Sequence, residues 1–352
     1  MNIRVSSCHS WPNKKTMRCF FSIGILVLLF SCNNSEKAPD VSNIKLDITT
    51  QRFERDLFAL DTVNFLSQLD QLQAKYPDFG ENFIYTVLGA DPKWSTDTVA
   101  AYVLGFVNSY RSVYDSSQAV FKDFTPYEKE IKKGLQYLKH YFPNYTPHKK
   151  IVTFIGPLNG IGVAAAEDMI CVGLQLHLGK DFSLYKSALV RETYPDYVSR
   201  RFSPDYIPVD CMKLLLQDLY PEKQEDRPLV EQMVEKGKRL FVLSKLLPGT
   251  EEYKLIGYTE EQLKAVYEHE RSVWDLFAQN NLLQTIDNNI IKNYIGESPK
   301  TQELGEASPG NIGSFAGWQI VKKFMKKNPD LSVQQLMTTD AETIFQQAKY
   351  KP

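Results

Sequence analysis

The sequence is poor in the residues that most catalytic chemistry needs. Its 352 residues hold five histidines and five cysteines. No two histidines stand four apart, so the His-Glu-x-x-His helix that turns two imidazoles toward one zinc ion is missing. His269-Glu270-Arg271-Ser272-Val273 begins that motif but puts Val where the second His belongs, on a charged stretch that reads as a solvated helix face. His140, His148 and His177 stand alone and read as surface or edge residues. There is no Gly-x-Ser-x-Gly elbow to expose a nucleophile. Gly156–Gly162 is glycine-rich but lacks the Lys-Ser/Thr of a phosphate loop, and reads as a turn between strands. Neither sign of charge dominates, with 41 basic against 42 acidic residues, which argues against a nucleic-acid partner and a polybasic membrane patch.

A bilayer-spanning run is also lacking at the N-terminus. The apolar stretch Phe20–Phe30 covers eleven residues, where a spanning helix needs roughly 20. Arg4, Lys14, Lys15 and Arg18 precede it, no acidic residue does, and Leu29-Phe30-Ser31-Cys32 follows as a lipoprotein cleavage box. Residues 1–31 therefore read as a lipoprotein signal, 32–42 as a lipidated cysteine with a polar tether, and 43–352 as one large domain. Ordinary signal cleavage and a retained anchor are the alternatives. Lipid on the Cys32 thiol and acylation of its freed amine would exceed the two signals that stable anchoring requires. Asn33-Asn34 supplies no inner-membrane retention Asp, which favours the outer membrane and leaves its periplasmic face or surface open. Cleavage leaves 321 residues with 37 basic and 42 acidic groups, a net charge of −5. Cys171 and Cys211 remain, as two buried free thiols, a disulfide or, least consistent with their neighbours, a catalytic thiol.

The pattern is α+β and mainly helical, a single domain of helices around a small central sheet. Ile44, Leu46 and Ile48 alternate with polar residues as a half-buried strand. Helical spacing runs from Phe53 to Tyr141, with Thr125-Pro126-Tyr127-Glu128 as a capped start. Lys150–Ile155 and Met169–Leu176 read as strands. Helices follow over Pro208–Leu219, Leu229–Leu246, Thr259–Asn280, Ile312–Lys326 and Thr339–Ala348.

Three stretches carry residues that a plain core does not require. Arg201, Tyr206 and Asp210 are candidates for a polar cleft, although Asp210 in a first helical turn also suits the helix dipole. Glu235 and Lys238 join that candidate set, although their i, i+3 spacing also suits a simple pair. Gly313 and Gly317, four apart beside Trp318, let another backbone approach, within the chain or on a partner.

Eight stretches resemble the gliding-motility lipoprotein B (GldB) family of the Bacteroidetes. They are Phe53–Phe58, Tyr76–Phe79, Glu235–Lys238, Leu246–Pro248, Ile256–Thr259, Ser308–Gly313, Gly317–Val321 and Lys349–Pro352. The resemblance implies a cell-envelope lipoprotein, tied in gliding species to the motility machinery and its secretion system. The family is also similar to predicted zinc peptidases. Their metal motif is missing here from the helix near Asp210, which implies a pseudo-peptidase scaffold that keeps only a groove. No catalytic residue, metal ligand or cofactor is expected. The first functional reading is a non-catalytic envelope lipoprotein, held at the membrane by its lipid and binding envelope proteins. The alternatives are a hydrolase using Asp210, Glu192 and Glu235, and a small-ligand or lipid-handling module with a sizeable apolar cavity.

Overall fold

Two apolar runs build the centre of the sheet. Lys150–Phe154 (β2) and Met169–Gly173 (β4) lie side by side in parallel, and all of β4 is buried. Continuous apolar runs suit strands covered on both faces. Thr49–Arg52 (β1) pairs in parallel with β2, and Val163–Ala166 (β3) pairs antiparallel with β4, so the order is β1-β2-β4-β3. This computed structural model describes residues 38–166, 168–222, 227–306 and 308–352. Cys32, the signal segment and the start of the tether lie outside the described residues. Ala38–Pro352 form one compact unit, the mainly α-helical α+β architecture that the periodicity implies.

The crossover from β1 to β2 is helical. It contains α1 (Phe53–Phe58), α2 (Phe65–Lys75), α3 (Gly80–Asn82) with a π-turn over Phe83–Val87, α4 (Thr96–Ser109), α5 (Arg111–Val120) and α6 (Thr125–Tyr141). Phe53 anchors it, its ring 4.8–5.0 Å from those of Tyr76, Phe79 and Phe83. Beside Phe53, the fully buried Glu54 accepts from Arg52 Nε at 2.7 Å and from Thr153 Oγ1 at 2.6 Å. Asp56 accepts from the Tyr76 hydroxyl and from Lys75 Nζ.

After β4 come α7 (Ala188–Thr193), α8 (Asp196–Ser199), α9 (Ile207–Leu219), α10 (Leu229–Leu246) and α11 (Glu252–Ile256). Then follow α12 (Glu260–Glu268), α13 (Glu270–Gln279), α14 (Asn288–Ile295), α15 (Ile312–Lys327), α16 (Val333–Thr338) and α17 (Ala341–Ala348). The main crossing is α10 against α15. A Cβ on Gly237 would fall on the Gly317 carbonyl, and one on Gly317 would fall on the Met233 carbonyl. A Cβ on Gly313 would lie 2.8 Å from Ile295 Cγ2. Trp318 is fully buried, and Lys322 Nζ stands 4.1 Å over its ring.

Several local expectations shift. Ile44 lies in a bend and Ile44–Ile48 is not paired in the sheet; the strand begins at Thr49, where the backbone of Lys149 and Lys150 comes alongside. β3 escaped the sequence because it is mostly alanine, a weak strand former, at a sheet edge. β4 stops at Gly173, and Leu174–Leu176 form a 3-10 turn. Gln175 folds back there, accepting from Gly156 N and donating to the Ile161 carbonyl, in space that a Gly173 side chain would occupy. Thr125 is the first helical residue rather than the cap: its N–H goes to Asp123, and Glu128 accepts from Thr50 Oγ1 at 2.6 Å. The helix expected over Thr259–Asn280 breaks at His269, although its Thr259–Gln262 capping box forms. The last helix starts at Ala341 behind an Asp340 cap.

His148 is half-buried rather than on the surface, and its Nδ1 is 2.8 Å from the Tyr145 hydroxyl. Burial holds its imidazole below the ordinary value of 6.5, with Asp218 and Asp168 partly opposing. Above that value the ring is neutral in both the folded and the unfolded chain, and its contribution is complete. As the pH falls through it, the unfolded chain takes up the proton first, and stability declines until the folded ring is protonated as well. Urea titrations at about pH 7 and about pH 5.5 are expected to show a smaller loss for His148→Gln than for wild type. An equal loss would remove His148 from the acid response.

Candidate functional site

One face of α9 carries Asp210, Lys213, Leu214 and Gln217, the i, i+3, i+4, i+7 spacing of a single helical stripe. Pro in the first turn starts the helix and sets Asp210 there. This stripe forms one wall of a cavity of about 490 Å3. The facing wall comes from α10 through Lys236, Arg239, Leu240 and Leu243, again one stripe. Glu297, Asn311 and Ser314, from the end of α14 to the start of α15, complete it with Leu255 of α11. Gln217 is exposed, so the cavity reaches the surface.

Its charged groups are mostly tied to one another. Glu222 holds Lys236 Nζ at 2.8 Å and faces Arg239 Nε at 3.5 Å. Arg239 also donates to the Tyr220 carbonyl, and burial holds its guanidinium below the ordinary range. Glu297 holds Arg201 Nη1 at 2.9 Å. Arg201 packs on Gly257, which ends α11 at φ 85; a side chain there would collide with the guanidinium. Arg200 donates to the Gly257 carbonyl at 2.9 Å.

Asp210 has a partner that the sequence did not suggest. His177, read as a surface or edge residue, is 2% exposed. Its Nδ1 is 2.9 Å from the Gly173 carbonyl and its Nε2 is 3.3 Å from Asp210 Oδ2. A carbonyl only accepts, so Nδ1 carries a proton. The sequence signal was faint: a lone His after an apolar run, with nothing linking it to a helix 33 residues away.

Lys213 is the other residue that motif reasoning passed over, although its place three residues after Asp210 marks it. It has no hydrogen bond or ion pair among the described residues. Burial holds its amine below the ordinary value of 10.5, while Asp210 and Glu297 pull it up and Arg201 pushes it down. Lys213 is half-buried and lines the cavity.

The other candidate residues lie apart from this cavity. Tyr206 is buried at the N-cap of α9, its hydroxyl pushed up to about 12 by burial. Glu235 and Lys238 sit on a different face of α10. The Lys238 side chain is 2% exposed, and its Nζ lies 2.7 Å from Glu235 and 2.5 Å from the Thr339 carbonyl, pinning α10 to the α16–α17 junction. Glu192 is exposed on α7 and Glu235 is tied up, so the three carboxylates of the hydrolase reading do not meet in the cavity. Gly317 is taken up by the α10–α15 crossing, Gly313 packs on Ile295 and Tyr294 of α14, and Trp318 is fully buried. Cys171 and Cys211 are free and buried, and burial drives both thiols up, Cys171 to about 12. Among the described residues, no three His, Cys, Asp or Glu side chains are grouped to hold a metal ion. Among them also, no helix is long and apolar enough to cross a membrane.

A helical scaffold around a small mixed sheet, carrying a charge-lined cleft between two long helices, is what fold and site define. The chain matches the family described as gliding motility protein GldB over residues 34–352. It belongs to that family of gliding-motility lipoproteins, proteins anchored at the cell envelope. No curated protein and no solved structure matches it.

Proposed function

We propose that this protein is a non-catalytic lipoprotein, anchored through Cys32 on the outer membrane, that binds envelope proteins through the α9–α10–α15 cavity. The observation that carries the reading is the state of the cavity walls. Ion pairs among Glu222, Lys236 and Arg239, and between Arg201 and Glu297, hold the polar groups in place before any partner arrives. Preorganised walls bind at lower entropic cost. Apolar leucines between the charges offer the area that affinity needs. The carboxylates that hydrolysis would need are dispersed instead.

Photocrosslinking in intact envelopes tests this. A photoreactive residue at Gln217, on the cavity rim, is expected to trap a discrete protein partner, while the same residue at the exposed Glu192 traps none. Identical patterns at the two positions would sink the proposed surface. Cys32→Ser is expected to leave the protein unlipidated and to release it from the membrane fraction.

A further inference from the structure

The cavity lining holds both a charge without a hydrogen-bonded partner and the uncapped start of a long helix. Lys236 and Arg239 are held by Glu222, Arg201 by Glu297, and Asp210 faces His177. Lys213 is left over among the described residues; it lines the cavity with Asp210 and Glu297 but has no hydrogen bond or ion pair to either. Keeping an amine in protein without a partner is costly, and such a group is poised for a ligand that supplies one. The same lining includes the start of α15, sixteen residues long, with Asn311 at φ 58 and no side-chain cap. Asn311 and Ser314 line the cavity, so the positive end of this helix borders the space that Lys213 occupies. Two independent sources of positive potential thus face one volume, and Leu214, Leu240, Leu243 and Leu255 supply an apolar wall beside them.

We infer that the cavity captures the C-terminal carboxylate of a peptide whose last residue is apolar. This rests on the cavity being the recognition site, and adds what is recognised. The carboxylate meets the Lys213 ammonium and the start of α15, the last side chain lies along the leucines, and the preceding residues leave past Gln217. A volume of about 490 Å3 suits a short peptide end and is within the usual range for small-ligand sites, about 300–1,000 Å3. Backbone and charge capture of a free C-terminus is a recurrent mode of peptide recognition.

Lys213→Met separates this from a structural role. Because the folded amine is held below 10.5, its unfavourable contribution is absent above that value and sets in as the pH falls below it. At neutral pH the Met variant is therefore expected to melt higher than wild type, where loss of a structural lysine would lower the midpoint. The binding probe is acetyl-Ala-Ala-Leu with a free carboxylate, compared with its C-terminal amide by calorimetry on the mature protein. The acid is expected to bind at least about tenfold tighter than the amide, the worth of one charge-assisted hydrogen bond, and Lys213→Met to abolish the difference. Equal binding of acid and amide, no binding of the acid, or undiminished discrimination in Lys213→Met would each overturn the inference. If the peptide fails while Gln217 still crosslinks a partner, the binding surface stands and the carboxylate specificity falls.

Discussion

Gly317→Ala is expected to cost more than about 4 kcal/mol and to unfold much of the protein at 37 °C, a loss that few single substitutions reach. The added Cβ would fall on the Met233 carbonyl carbon and oxygen, which are helix backbone with no rotamer to yield. Separating α10 from α15 to admit it would open the interface over Trp318, Phe315 and Val321, all buried. Gly237→Ala meets the Gly317 carbonyl from the other side and is expected to behave alike. Gly105→Ala is the control. Gly105 is exposed in α4 and a Cβ added there would meet nothing within 4 Å, so alanine is expected to stabilise by up to about 1 kcal/mol through helix propensity. Chemical denaturation of the three variants decides the matter, and a loss below about 1 kcal/mol for Gly317→Ala would refute the close crossing. Bulky substitutions at Gly313 or Gly317 would report folding, not partner docking.

Glu54→Ala is expected to cost about 3–5 kcal/mol, the penalty for removing one member of a buried ion pair. The Arg52 side chain is only 15% exposed and already has one buried Nη2 without a partner. Without Glu54 its Nε loses its acceptor, and the fully buried Thr153 hydroxyl keeps only the longer contact to the Gln51 carbonyl at 3.4 Å. Arg52→Met with Glu54→Leu is expected to recover part of the loss, because the orphaned charge goes too. Denaturant midpoints read both results. A loss under about 1 kcal/mol for Glu54→Ala would mean that water reaches Arg52 despite the packing.

The two N-terminal family motifs meet in space. Phe53 packs on Tyr76 and Phe79, and Asp56 binds the Tyr76 hydroxyl. The Glu235–Lys238 and Gly317–Val321 motifs meet likewise, through Gly237 and Gly317. Much of what carries the resemblance is thus packing of this scaffold, and two of the motifs also reach the cavity, through Lys236 and Asn311. Asp210 was legible, because Pro208 and the dipole preference of a first-turn carboxylate announce the helix start. Lys213 was half-legible through its spacing. His177, Glu297 and Asn311 were not, since each comes from a separate segment and nothing in its neighbours points to α9.

By itself, the sequence determined the helical majority, the two buried central strands and the long helices α10 and α15, because apolar periodicity is a local property. Its N-terminal motif also supports the lipid address proposed at Cys32. Only tertiary structure decided that β3 pairs at the sheet edge, that Gly237 and Gly317 close one helix crossing, and that His177 reaches Asp210. These depend on which distant backbones come within a few ångströms, and that is settled by the packing of the whole core.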